Sequence, residues 1–237
     1  MASPAEARAG GLSGWKTALA AGLLGALIGG GIVAYAARNS VRDYLLANPE
    51  ILPQAMERLQ EREAAKAVLA NRDPLETPFA GAWAGAENGD VVLVEFFDYA
   101  CGYCRKSNAD VERLLKEDPK LKVVWRDWPV LGPDSEAAAR ASLAAAQAGR
   151  FRQFYDGLFA LGRPTPQAVA QALNAAGVTA DAVQRVTAEQ ELRKNAELAE
   201  ALSATGTPTF VVGDQLLQGA VGYEALKEAI AEARASA

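Results

Sequence analysis

Histidine is absent from the 237-residue sequence, and cysteine occurs only twice. Without histidine there is no Ser-His-Asp triad, no imidazole general base, no histidine metal site and no histidine haem ligand. Two cysteines, with no histidine beside them, cannot supply the four ligands of a structural zinc site. A basic bias is also lacking: 24 Lys and Arg stand against 29 Asp and Glu, for a formal net charge of −5. That balance argues against nucleic acid as a partner. No phosphate-binding glycine loop and no internal repeat is present. Half of the residues are hydrophobic, which leaves room for a sizeable core.

Residues 17–37 form the one long uncharged run, between Lys16 and Arg38. At ~1.5 Å per residue, a helix of this length reaches about 31 Å, close to the thickness of a bilayer's hydrocarbon layer. The stretch reads as an uncleaved signal anchor. A removed signal peptide is the alternative, because Ala34-Tyr35-Ala36 resembles a small-x-small cleavage site. Residues 1–16 are then an N-terminal tail.

Residues 38–76 are charged and helical in pattern, with a sparse apolar stripe. Asn48-Pro49-Glu50 suits a helix start, and Ile51, Leu52, Met56 and Leu59 share one face. This segment is either an oligomerisation stalk or a solvated linker helix. Asp73-Pro74 and Thr77-Pro78 mark a boundary after it.

From Val91 the pattern changes to VVLVEFF, a continuously apolar strand broken by one acid, as in a central strand buried on both faces. A helix from Cys101 and a second strand, LKVVWRDW, follow. Residues 135–202 are alanine-rich and helical, divided at Gly149, Pro164-Thr165-Pro166 and Gly177. A hairpin over Gly213-Asp214 and a final helix close the chain. The fold class is α/β, with residues 77–134 and 203–237 forming a layered domain and residues 135–202 a helical insertion.

The two cysteines fall at Cys101-Gly102-Tyr103-Cys104, where a strand passes into a helix. Free N–H groups and the positive end of the dipole stabilise an anion there, and a thiolate is the species that attacks a disulfide. Arg105 and Lys106 add positive charge nearby. Cys104, one turn further in, is placed to resolve a mixed disulfide by attacking Cys101. A bridge over so short a loop would restrain little of the unfolded chain, so a purely structural role is the weaker reading. Glu95 interrupts the apolar strand, and a buried carboxylate needs a purpose or a partner. It is either a proton acceptor for Cys104, or a structural group that faces a wet edge or pairs with a lysine such as Lys122. Thr207-Pro208, taken alone, is an ordinary proline at a strand start.

The segments DVVLVEFFDYACGYCRKS and GTPTFVVG, in this order around a helical insertion, resemble the DsbA-like family of bacterial thiol-disulfide oxidoreductases. NPEILPQAMERLQ resembles the stalk of the ScsC-like subgroup, whose members include trimers. The resemblance implies a thioredoxin fold, with Cys101 as nucleophile, Cys104 as resolving thiol and Glu95 as the buried acid beneath them. It also implies a cis Thr207-Pro208 bond opposite the cysteines, where an extended client would pair with the Thr207 backbone beside Gly102 and Tyr103. The implied enzyme needs no metal and no cofactor beyond a Cys101-Cys104 disulfide. Its implied partners are exported protein thiols and disulfides and a membrane redox partner, in the periplasm. The sequence departs from strongly oxidising members in having Gly102-Tyr103, not a histidine, between the cysteines, so electron flow towards oxidation, isomerisation or reduction stays open. The competing readings are a tethered peptide-binding module or chaperone with a structural CxxC, and a glutathione-using transferase.

Overall fold

A computed structural model describes residues 40–236 together with Leu19, Gly22 and Tyr35. The expected membrane or signal segment at residues 17–37 otherwise lies outside the described residues. Among the described residues, no helix is long and apolar enough to cross a membrane. The chain divides into two units, residues 1–58 and 59–237.

In the first unit, residues 40–47 are helical and a turn at Pro49-Glu50 leads into α1 (Ile51–Ala70), which runs on into the second unit. Asn48 does not cap the start of α1 as the sequence suggests. Its side-chain amide donates at 2.8 Å to the Tyr44 carbonyl, which also accepts the Asn48 backbone N–H at 2.9 Å, so both groups close the end of the preceding helix. Val41, Tyr44, Leu52 and Met56 all remain exposed.

The second unit begins within α1. Residues 59–76, placed in the stalk from sequence, fall within this unit. Val68 on α1 and Leu75 on α2 (Arg72–Glu76) are each 1 % exposed. The buried Arg126 guanidinium donates to the carbonyls of Pro74, Leu75 and Thr77, tying this segment to the sheet.

The sheet has five strands: β1 (Trp83–Gly85), β2 (Val91–Phe97), β3 (Leu121–Asp127), β4 (Thr209–Val212) and β5 (Gln215–Gln218). Their spatial order is β1-β3-β2-β4-β5. The β2 and β3 strands are parallel and linked by helix α3 (Gly102–Glu117), while the other pairings are antiparallel. Strand β1 has no counterpart in the sequence reading because three residues are too few to show a period. It ends at Gly85, where φ is +88° and a Cβ would stand 2.2 Å from the Leu121 carbonyl, so only glycine fits.

Between β3 and β4 lie α4 (Pro133–Gln147), α5 (Phe151–Leu161), α6 (Pro166–Ala176), α7 (Ala180–Arg185) and α8 (Ala188–Ala201). Local chemistry sets several of these ends. Thr165 and Thr179 cap α6 and α7 by accepting from Ala168 N–H and Ala182 N–H, and Gly177 ends α6 in the left-handed conformation. The chain closes with α9 (Tyr223–Ala235).

Strand alternation sorts the side chains into two cores. Val94, Phe96, Val124 and Val211 face α1, α2 and α8. Leu93, Phe97, Val123, Trp125, Phe210 and Val212 face α3, the helical insertion and α9. Glu95 lies between Leu93 and Phe97 in this alternation, on the face that also holds both cysteines. The result is a mixed α/β thioredoxin-like fold with a helical insertion.

Candidate active site

Cys101 ends the connector after β2 and is the N-cap of α3, with extended backbone at φ −77° and ψ 116°. The Cys104 N–H donates to its Sγ at 3.4 Å, and the Cys101 thiol donates to the Thr207 carbonyl at 3.2 Å. Both cysteines are free thiols. Cys101 is 6 % exposed and Cys104 is fully buried, whereas Tyr103 between them is 68 % exposed.

The Cys101 thiol is pushed down to about 5. Hydrogen bonding from the Cys104 side chain is the largest cause; the Thr207 side chain and the backbone N–H groups of Cys104 and Tyr103 add to it, against burial. Hydrogen bonds therefore do what an intervening histidine would do by charge, and Arg105 and Lys106 stay on the exposed surface. Cys104 moves the opposite way: burial, the hydrogen bond with Cys101 and the neighbouring Glu95 push its thiol far above the usual range. One thiol is ionised at neutral pH, and the other holds its proton until something takes it.

Glu95 sits beneath this pair and is fully buried. Its Oε2 accepts from the Trp125 indole N–H at 2.9 Å, while Oε1 has no hydrogen-bond partner. Tyr155 also adjoins the carboxyl, but its hydroxyl donates to Asn108 Oδ1 at 2.7 Å. Burial pushes the Glu95 carboxyl up to about 8, against the Trp125 hydrogen bond. It is thus a group that can exchange a proton near neutral pH. The lysine pairing considered from sequence is not made, since Lys122 faces the Trp83 ring.

The Thr207-Pro208 bond is cis. It brings the Thr207 carbonyl to Cys101 Sγ across 106 residues of sequence. Gly102 lies exposed at the start of α3, and a Cβ there would meet nothing within 4 Å.

Several supporting residues escaped the sequence reading. Asp98 is 2 % exposed and accepts four hydrogen bonds, from the N–H groups of Ala100, Val130 and Leu131 and from Ser135 Oγ. It thereby pins the connector before Cys101 to the loop after β3. Tyr99 donates to Ser142, which donates to Asp127. A charged pair inside an apolar strand, Arg126-Asp127, was the signal available for this buried network, just as Glu95 was for β2.

The chain is similar to known proteins. Residues 92–231 match the DSBA-like thioredoxin domain, and residues 39–66 match the copper resistance protein ScsC N-terminal domain. A thioredoxin-like oxidoreductase from Silicibacter pomeroyi is 38 % identical, with a TM-score of 0.67 over 70 % of this chain and 99 % of that one. A linker-deletion variant of Proteus mirabilis ScsC is 29 % identical, with a TM-score of 0.69 over 84 % of this chain and 94 % of that one. Among curated proteins, the Na(+)/H(+) antiporter NhaA 3 of Salinispora tropica is 29 % identical over 160 residues, 65 % of this chain. The chain spans only 24 % of that relative's length. The match over β2, the cysteine pair, the insertion and the Thr207-Pro208 strand places the chain in the DSBA-like thioredoxin domain family, a family of thiol-disulfide oxidoreductases.

Proposed function

We propose that the protein exchanges disulfides with exported proteins in the periplasm, using Cys101 as nucleophile, Cys104 as resolving thiol and Glu95 as the acid-base group of the resolving step. The observation that carries this reading is the opposed state of two thiols one helical turn apart. Cys101 is held down to about 5, and Cys104 is buried beside a carboxyl pushed up to about 8.

In the reducing direction, the Cys101 thiolate attacks a client disulfide and expels one client thiolate. Cys104 then attacks Cys101 Sγ while its proton passes to the Glu95 carboxylate. The second client sulfur leaves with the bonding electron pair, and Cys101-Cys104 is left as the disulfide. In the oxidising direction the same steps run backwards, and Glu95 returns the proton to Cys104. Client backbone pairs with Thr207, whose carbonyl loses the Cys101 S–H donor once Cys101 enters a mixed disulfide. Gly102 and Tyr103 border that strand.

A periplasmic setting is supported by the disulfide-exchange chemistry and by the likeness to a Salmonella enterica periplasmic thioredoxin-like protein, 28 % identical with a TM-score of 0.61. A membrane redox partner sets the resting oxidation state in this reading, and residues 17–37 hold the chain at the membrane. A second reading concerns assembly. Val41, Tyr44, Leu52 and Met56 are exposed within a segment matching the ScsC N-terminal domain. Covering them between copies, as in a trimer, gives one particle several cysteine pairs, an arrangement suited to isomerising wrong disulfides.

The deciding experiment adds catalytic amounts of the protein to a reduced and to a scrambled multi-disulfide client in a glutathione buffer. Faster recovery of native client supports the proposal, and the client that responds fixes the direction. No acceleration of either client would contradict it.

A further inference from the structure

Among the described residues, three buried side-chain polar atoms lack hydrogen-bond partners, Ser107 Oγ, Glu95 Oε1 and Arg152 Nη1, and the last two flank one indole. Trp125 stands between their side chains. Its indole N–H is bonded to Glu95 Oε2, and the Arg152 guanidinium lies over its ring, with Cζ 4.7 Å from the centroid.

We propose that Arg152 is a positioning residue for Glu95, acting through and across the Trp125 indole to favour the carboxylate that receives the Cys104 proton. The proposal rests on the acid-base role given to Glu95 above. Arg152 is on α5, in the helical insertion, so the insertion supplies part of the chemistry of a site otherwise built on the sheet and α3.

Geometry gives the charge a direction. Outward, Arg152 Nη2 bonds to Glu112 and Asp156, whose side chains are 49 % and 56 % exposed. Water screens these pairs. Inward, the guanidinium faces Trp125 and Tyr155, both buried, with a centroid distance of 5.5 Å to the latter. Charge acts more strongly through such a medium than through water. The cation over the indole face also polarises the N–H that points at Glu95. The groups facing Glu95 are Trp125 from β3, Arg152 and Tyr155 from α5, Cys101 at the N-cap of α3 and Cys104 within it. Phe210, its register partner on β4, carries no charge. Arg152 is therefore the cation in this set. Its attraction lowers the carboxyl, opposing the larger effect of burial and the repulsion from the Cys101 thiolate.

The reaction step concerned forms the Cys101-Cys104 bond and breaks the Cys101-client bond. The proton moves from Cys104 to Glu95, and the electron pair leaves on the client sulfur. Its rate rises with pH as Glu95 ionises. The test is single-turnover release of both thiols from a disulfide-linked peptide by the reduced full-length protein, followed across neutral and alkaline pH. Arg152→Met should move the rising limb upward by ~0.5–1 pH unit and slow the step about three- to tenfold on the limb, as expected for loss of a nearby opposite charge. Arg152→Lys should restore most of the loss. Glu95→Gln should abolish the limb.

A limb unmoved in folded Arg152→Met overturns the inference while leaving Glu95 in its role. A limb retained in Glu95→Gln overturns the Glu95 reading and this inference with it. If Arg152→Met does not fold, Glu112→Gln combined with Asp156→Asn approaches the same charge from outside. It should move the limb to lower pH, and an unmoved limb there overturns the inference equally.

Discussion

Cys101 Sγ and the Thr207 carbonyl oxygen stand 3.2 Å apart, joined by a hydrogen bond from the thiol. The nucleophile and the backbone proposed to hold a client strand therefore compete for one interaction. Ionisation of Cys101 releases the Thr207 acceptor, so the reactive sulfur and a vacant pairing site arise together. The same ionisation is favoured by Cys104 and by the first N–H groups of α3.

Alkylation of Cys101 should show this directly. The reduced protein is expected to react rapidly with iodoacetamide below neutral pH, with a midpoint near 5. Cys104 should stay unmodified until the protein unfolds. A midpoint in the range of a free cysteine would remove the hydrogen-bond account of the nucleophile.

The depressed Cys101 thiol also links stability to pH. The folded state binds fewer protons than the unfolded state between about 5 and the usual thiol value. The reduced protein should therefore gain stability as pH rises through that window and lose it as pH falls through about 5, relative to Cys101→Ser. Parallel urea melts of the two proteins across the window measure the difference, and parallel pH dependences would contradict it.

Cys104→Ser should accumulate mixed disulfides through Cys101 when mixed with disulfide-bearing clients. Mass spectrometry of the adducts locates the bond. Rapid turnover by this variant would show that the resolving step does not need Cys104.

Glu95→Gln should slow resolution yet raise stability at neutral and higher pH. The folded carboxyl holds its proton to about 8, while the unfolded one releases it near 4.5. Stability from this group is thus present at low pH and falls as pH rises through that interval, by an amount on the order of a few kcal/mol. Gln keeps the shape without the ionisation. A melt showing the wild type more stable than Glu95→Gln at pH 8 would reassign Glu95 to a stabilising role.

Leu52→Glu with Met56→Glu, both on the exposed face of α1 in the first unit, should turn an oligomer into a monomer by light scattering. An unchanged mass would dismiss assembly through this segment.

Legibility of the sequence followed chemical anomaly. Glu95, Cys101 and Cys104 stand out because each residue type is unusual in its local context, an acid in an apolar strand and the sole cysteines at a helix start. Pro208 carried no such mark alone; its cis bond was expected only through the family resemblance, and the structure has it. Trp125 and Arg152 were opaque because their roles come from placement in the fold. Trp125 meets Glu95 through the parallel register of β3 on β2, and Arg152 reaches Trp125 from a helix outside the sheet. Neither side chain is unusual in its own segment. The environment of residues 67–77 was opaque for a related reason. Asp73-Pro74 and Thr77-Pro78 look like a linker, but Val68 and Leu75 bury beneath the sheet and Arg126 binds the intervening carbonyls.

The most direct measurement equilibrates the purified full-length protein with graded ratios of reduced to oxidised glutathione and counts its thiols by acid quenching and mass spectrometry. Reversible conversion between a two-thiol form and a Cys101-Cys104 disulfide, fitting a single two-electron transition, is the result expected. A protein that stays in one oxidation state at every ratio while keeping its fold would contradict the account.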